Sequence, residues 1–128
     1  MFNNRKYAEE RETASQEVQE LSSLLVAEDN QSPQMLDIID VLGQVSKRLD
    51  KVKDPAPLIN RLVNYIRISA SNGRLDFSKD QEKLMIELGY ISQKAGRNGL
   101  YMADFSDKSQ FYGFTEQMPI RTPGTTRY

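Results

Sequence analysis

Apolar residues recur at steps of three and four along the first half of the chain, which is the spacing of one helix face. The first row is Ala14, Val18, Leu21 and Leu25. The second row is Met35, Ile38, Leu42, Val45, Leu49 and Val52. These rows predict two amphipathic helices separated by a polar loop at residues 27–31. Ser32-Pro33 suits the start of the second helix, because serine can cap a helix and proline fits its first position.

Two further helices follow a break at Asp54-Pro55-Ala56-Pro57, since each proline keeps its predecessor out of the helical conformation. The third should run from about Pro57 to Ser71, and its many apolar positions indicate that it is covered on more than one side. Ser78 and Gln81 have the spacing of a capping box at the start of the fourth helix. Its buried stripe should be Leu84, Leu88, Ile91 and Ala95, with Gly96 as the stop.

Four amphipathic helices with short connections predict an all-α protein, an antiparallel four-helix bundle. Residues 97–128 lack a helical period but contain five aromatic residues up to position 114: Tyr101, Phe105, Phe111, Tyr112 and Phe114. Burying a large ring is worth roughly 1.5–3 kcal/mol. We therefore expect a C-terminal segment packed back on helices three and four. This gives a bundle domain over residues 1–114 and a flexible extension over residues 115–128.

The composition removes several kinds of chemistry. The chain has no cysteine and no histidine, which excludes disulfides and removes the commonest general base and metal ligand. Asp37 and Asp40, like Asp104 and Asp107, lie three residues apart, a spacing that solvated helix surface explains better than acid–base catalysis. We expect no enzyme activity, no metal and no cofactor.

Charge and hydropathy also limit the partners and the location. A formal net charge of −1 argues against nucleic-acid binding, which requires many cations. No run approaches the roughly 20 apolar residues that cross a bilayer, and the first residues do not form a secretory signal. We expect a cytoplasmic protein.

Helix three carries a narrow polar ridge of Asn60, Arg61, Asn64 and Arg67. Two interpretations stay open. In the favoured one, the asparagines satisfy buried backbone where the C-terminal segment crosses, and Arg61 pairs with an acid such as Asp104. In the other, the ridge contacts a partner.

Several stretches of this sequence resemble the enterocin A immunity protein family, which protects producers of pediocin-like (class IIa) bacteriocins. The first is the run from Pro57 to Tyr65, and the second is Asn98-Gly99-Leu100-Tyr101. Ala103-Asp104-Phe105 and the run from Asp107 to Phe111 complete the match. The resemblance covers residues 32–111 well and the first thirty poorly. The chain continues for seventeen residues past Phe111, where relatives of this family end.

The resemblance implies a four-helix bundle that acts in the cytoplasm, with a fraction at the inner face of the cell membrane. It implies a partner, the membrane permease of the mannose phosphotransferase system in complex with bacteriocin, which the protein binds so that the membrane does not leak. No small-molecule substrate is implied, and we expect a monomer. The alternative is a helical adaptor that binds another cytosolic protein. Because the family's specificity is attributed to the C-terminal half, the candidate recognition residues are Asn60, Arg61, Asn64, Arg97, Asn98, Tyr101, Asp104, Phe105, Lys108 and Phe111.

Overall fold

Four α-helices and two short 3-10 turns make up the described part of the chain. The computed structural model describes residues 2–95 and 104–121, without the side chains of residues 2–4 and 6. The helices are α1 (Phe2–Val26), α2 (Pro33–Leu49), α3 (Ala56–Gly73) and α4 (Lys79–Ser92). The 3-10 turns are Gln93–Ala95 and Lys108–Phe111. No strand occurs within these two ranges, and Gly96, the predicted stop of the fourth helix, lies outside them.

Serine caps start α2 and α4 where the sequence predicts them. Ser32 Oγ accepts a hydrogen bond from the Met35 amide at 3.2 Å, and Pro33 occupies the first turn. Ser78 Oγ accepts from the Gln81 amide at 3.2 Å, while the Ser78 amide donates to Gln81 Oε1 at 3.0 Å. A cap of this kind is worth about 1 kcal/mol, so each of these helices begins at a defined residue.

The end of α3 differs slightly from the prediction, because Gly73 is its last helical residue. A Cβ atom at Gly73 would lie 2.7 Å from Gln34 Cβ, so glycine lets α3 approach the start of α2 closely. The left-handed residue that ends the helix is Arg74, with φ of 54°. The Leu75 amide then donates to the Ala70 carbonyl at 2.8 Å, which satisfies a carbonyl that the helix end leaves open.

The helices form a closed ring in which each helix packs against the next one in sequence, and α4 packs back on α1. Helices α1 and α3 therefore lie diagonally opposite each other, as do α2 and α4. The predicted apolar rows face the interior, apart from Val52 and Ala95, which are partly buried. Helix α3 also buries apolar side chains: Leu58, Ile59, Leu62, Tyr65 and Ile66. The all-α four-helix bundle is confirmed.

A pair of carboxyl groups lies in the contact between α1 and α4. The Glu17 side chain is hydrogen-bonded to Glu87, and Glu20 is close by on α1. Burial is the main reason that the pKa of Glu17 rises from 4.5 to about 7, and the charges of Glu87 and Glu20 add to it. One of these carboxyls therefore holds a proton close to neutral pH.

This pair should make the stability of the bundle depend on pH. Because the pKa of Glu17 is higher in the folded protein than in the unfolded chain, the free energy of unfolding falls as pH rises from 4.5 through about 7. Glu17→Gln should remove that loss, and thermal denaturation should show a larger gain in Tm at about pH 8 than at about pH 5. The expected gain is about 1 kcal/mol or less, because the site is partly open to solvent.

Glu9→Gln is the matched control, since Glu9 is exposed on the same helix. It should leave the pH dependence unchanged. The same change in Tm at both pH values for Glu17→Gln would contradict this explanation.

Candidate functional site

The segment of residues 104–121, here called the C-terminal strap, lies across α2 and α3. Its 3-10 turn packs on α2, and the fully buried Phe111 at the end of that turn meets Tyr65 of α3. The two ring centroids are 5.5 Å apart with planes at 80°, a favourable edge-to-face arrangement. The buried Gln44 side chain of α2 donates from Nε2 to the Phe111 carbonyl at 3.0 Å. The strap is thus held by one large ring and one buried hydrogen bond.

A first group of ion pairs joins the strap to the middle of α2. Lys108 Nζ lies 2.9 Å from Asp37 Oδ1 and 3.0 Å from Asp40 Oδ2, and its side chain is only 10% exposed. It also donates to the Pro119 carbonyl at 2.8 Å. Arg121 donates to both oxygens of Asp40, at 2.9 and 3.1 Å. The sequence alone predicts that Asp37 and Asp40 are solvated helix surface. In the structure they instead bind two cations of the strap, Lys108 and Arg121.

These cations set the ionisation of Asp40. Burial opposes the charged form of this carboxyl, but the hydrogen bonds from Arg121 and Lys108 outweigh burial, so the pKa of Asp40 lies below its ordinary value. Asp40 is therefore a stable anion at neutral pH and accepts hydrogen bonds on both of its oxygens.

A second group joins the strap to the end of α2 through Glu116. Its Oε1 accepts from Gln44 Nε2 at 3.1 Å and from Arg48 Nη2 at 3.0 Å, while Oε2 lies 3.3 Å from Lys47 Nζ. The Gly113 amide donates to Oε1 at 2.6 Å, and together with these side chains it lowers the pKa of Glu116 to about 2. Glu116 and Arg121 lie within residues 115–128, whose flexibility and separation from the domain of residues 1–114 stay predictions.

The polar ridge of α3 bonds to α4 through Asn60 and Arg67. Asn60 is buried, and its Oδ1 accepts from Ser92 Oγ at the end of α4 at 3.1 Å. Asn64 Nδ2 donates to the Asn60 carbonyl at 2.8 Å. Arg67 forms a two-bond ion pair with Glu82 of α4. These contacts lie within α3 and between α3 and α4, so both interpretations of the ridge stay predictions.

Arg61 does not pair with Asp104, so that expectation is wrong. Asp104 is exposed and accepts from the amide and hydroxyl of Ser106, which closes a local turn. Arg61 is half-buried and forms no ion pair among the described residues. Burial lowers the pKa of Arg61, and the nearby charge of Arg48 lowers it further.

The structure separates the remaining candidate residues by exposure. Phe105 is half-buried, and its carbonyl accepts from Gln110 Nε2 at 2.8 Å. Phe111 is core, and Lys108 is occupied by the acids of α2. Three predicted residues lie outside the described ranges: Arg97, Asn98 and Tyr101. Four described candidates thus combine surface exposure with no bond to another helix: Arg61, Asn64, Asp104 and Phe105.

The strap was expected on helices three and four, but its described contacts are with α2 and α3. The reason is electrostatic as well as apolar. On α2, the acids Asp37 and Asp40 bind the strap cations Lys108 and Arg121. The cations Lys47 and Arg48 of the same helix bind the strap carboxylate of Glu116.

No described group of His, Cys, Asp or Glu side chains has a geometry that could hold a metal ion. No helix within the described ranges combines the length and the apolar character needed to span a bilayer.

These features define a small helical-bundle protein with a docked C-terminal strap. The chain belongs to the bacteriocin immunity protein family, whose sequence model matches residues 7–93. The match begins nearer the N-terminus than the resemblance indicated, and it ends before the strap.

Two relatives are similar over most of their length. The chain is 68% identical over 81 residues to the probable leucocin-A immunity protein of Leuconostoc gelidum. The aligned region covers 63% of this chain and 72% of that protein. The chain is 61% identical over 98 residues to the probable mesentericin-Y105 immunity protein of Leuconostoc mesenteroides, which covers 76% and 85%, respectively. No solved structure matches the chain significantly.

The docking of the strap predicts different effects for two phenylalanines three residues apart. Phe111→Ala should lower the free energy of unfolding by about 3–5 kcal/mol, because it removes a fully buried ring. Phe114→Ala should change it by less than about 0.5 kcal/mol, because Phe114 is fully exposed. Urea denaturation measures both, and equal effects of the two variants would contradict the docked position of Phe111.

Proposed function

We propose that this protein protects its cell from a pediocin-like (class IIa) bacteriocin by binding the membrane permease of the mannose phosphotransferase system that the bacteriocin has engaged. Binding takes place from the cytoplasmic side and blocks pore formation. The protein works in the cytoplasm, with a fraction at the inner face of the membrane. The observation that carries the proposal is the identity of 61–68% with proteins described as immunity proteins against mesentericin Y105 and leucocin A.

The strap supports a mechanism of binding rather than chemistry. The carboxylates that hold it are occupied: Asp40 accepts from Lys108 and Arg121, and Glu116 accepts from Arg48 and Lys47. Such groups fix a surface and are poorly placed to transfer protons. A segment that is already ordered loses less conformational entropy when a partner binds, so this surface suits steric occlusion.

The proposed recognition surface includes Arg61 on α3 together with Asp104 and Phe105 at the start of the strap, and all three keep some exposed surface. Phe111 and Lys108 position it by anchoring the strap, and Asn60 and Asn64 fix the ridge of α3 beneath. Arg97, Asn98 and Tyr101 remain predicted members of the same surface.

A killing assay tests the function. Expression in a bacteriocin-sensitive strain should give resistance to at least one class IIa peptide, while the peptide recovered from the medium keeps its activity on cells that lack the protein. Phe105→Ala should weaken this protection because it removes a partly exposed ring from the recognition surface. Tyr90→Ala is the matched control, since Tyr90 is an exposed aromatic residue on α4.

Unchanged killing across a panel of class IIa peptides would contradict the function. Affinity capture from treated cells tests the mechanism separately. Permease subunits should be recovered with the protein only after bacteriocin is added, and resistance without any permease recovery would contradict the proposed partner.

A further inference from the structure

The second half of the strap exposes an unusual amount of apolar surface. Phe114 is fully exposed, Ile120 is 70% exposed and Met118 is 36% exposed. Single exposed apolar residues are common on protein surfaces, but three within seven positions form a patch of the kind that contacts a partner. The backbone that carries them is held on both sides, by Phe111 before it and by the Arg121–Asp40 pair after it.

Cations lie beside the start of this patch, next to Gly113 and Glu116. A Cβ atom at Gly113, next to Phe114, would lie 3.6 Å from Arg48 Nη2, so the turn lies against the Arg48 guanidinium. Lys47 directly precedes Arg48 on α2, and its side chain is 64% exposed. Arg61 is also near Arg48. Among the residues that the structure describes, Glu116 is the one carboxylate that contacts these groups. The three cations and this single acid leave a local excess of positive charge.

From this arrangement we propose that residues 113–120 form an insertion loop for an anionic lipid surface. Phe114, Met118 and Ile120 enter the boundary between headgroups and acyl chains, while Lys47, Arg48 and Arg61 meet the lipid phosphates. The inference rests on the proposed function for its setting, because a protein that acts on a permease works next to a bilayer. It adds a direct contact with lipid, made by residues outside the proposed recognition surface except for Arg61.

The spacing of the apolar residues favours lipid over a protein groove. Phe114, Met118 and Ile120 lie on irregular backbone at one step of four and one of two, so together they keep neither the period of a helix nor that of a strand. Grooves that bind peptides read such a period, with anchors at i, i+3, i+4 and i+7 or at alternate positions. A fluid interface needs no register, and it gains affinity from apolar area and from each cation near its phosphates. Three side chains make a weak, reversible contact.

Co-sedimentation with protein-free vesicles tests the inference. The full chain should bind vesicles that contain phosphatidylglycerol more strongly than pure phosphatidylcholine vesicles, and added salt should weaken the binding. Phe114→Ser should lower the partition coefficient about tenfold, and Lys47→Gln about fivefold. Tyr90→Ser should have no effect, because α4 lies diagonally opposite α2 in the bundle. Circular dichroism checks that each variant is folded.

Each other outcome overturns the inference. Binding that is equal for both lipid compositions, or unaffected by Phe114→Ser, shows that the loop is not the lipid contact. No binding to protein-free vesicles, with binding restored when permease is reconstituted into them, shows that the patch fits a protein. Because the protein-free vesicles lack both bacteriocin and permease, a negative result with them leaves the proposed function standing, and the killing assay tests that function separately.

Discussion

The burial of the Phe111 ring against Tyr65 is the contact on which the C-terminal strap of this protein depends. The strap has no regular secondary structure beyond one short 3-10 turn, so its backbone entropy must be offset by burial. Phe111 is the one strap residue that is fully buried among those described, and Gln44 binds its carbonyl from α2. Once this residue is seated, the charged groups on either side are brought within reach of their partners on the helix.

The ion pairs orient the strap more than they stabilise it. Pairs as exposed as Lys47–Glu116 contribute little to stability, because solvent screens the two charges. The Lys108 group is different, because its ammonium is nearly buried between Asp37 and Asp40 and would be costly to leave unpaired. The lowered pKa of Glu116 means that this carboxylate stays charged well below the ordinary value of 4.5. Its contribution is present above the ordinary 4.5 and is lost as pH falls towards about 2.

The helices could be predicted from the sequence because their signals are local. Apolar steps of three and four, the caps at Ser32 and Ser78, and the break at Asp54-Pro55 all act within a few residues. The position of the strap could not be predicted in the same way. The spacing of Asp37 and Asp40 shows that they share a helix face, but it does not show that Lys108, about seventy residues later, lies between them. For the same reason, the predicted pair of Arg61 with Asp104 is wrong. The Asp104 carboxylate accepts from Ser106 in a local turn instead.

The resemblance in the sequence identified the family, and the family match over residues 7–93 confirms it. The recognition surface could not be identified in the same way and stays a proposal. A docked and charged strap gives the bundle a preformed surface that is separate from its core. Nuclear Overhauser contacts between the ring protons of Phe111 and Tyr65 test this most directly. Strong contacts between the two rings are predicted, since their centroids are 5.5 Å apart. Absence of these contacts, with Phe111 signals at random-coil positions, would contradict the docked strap.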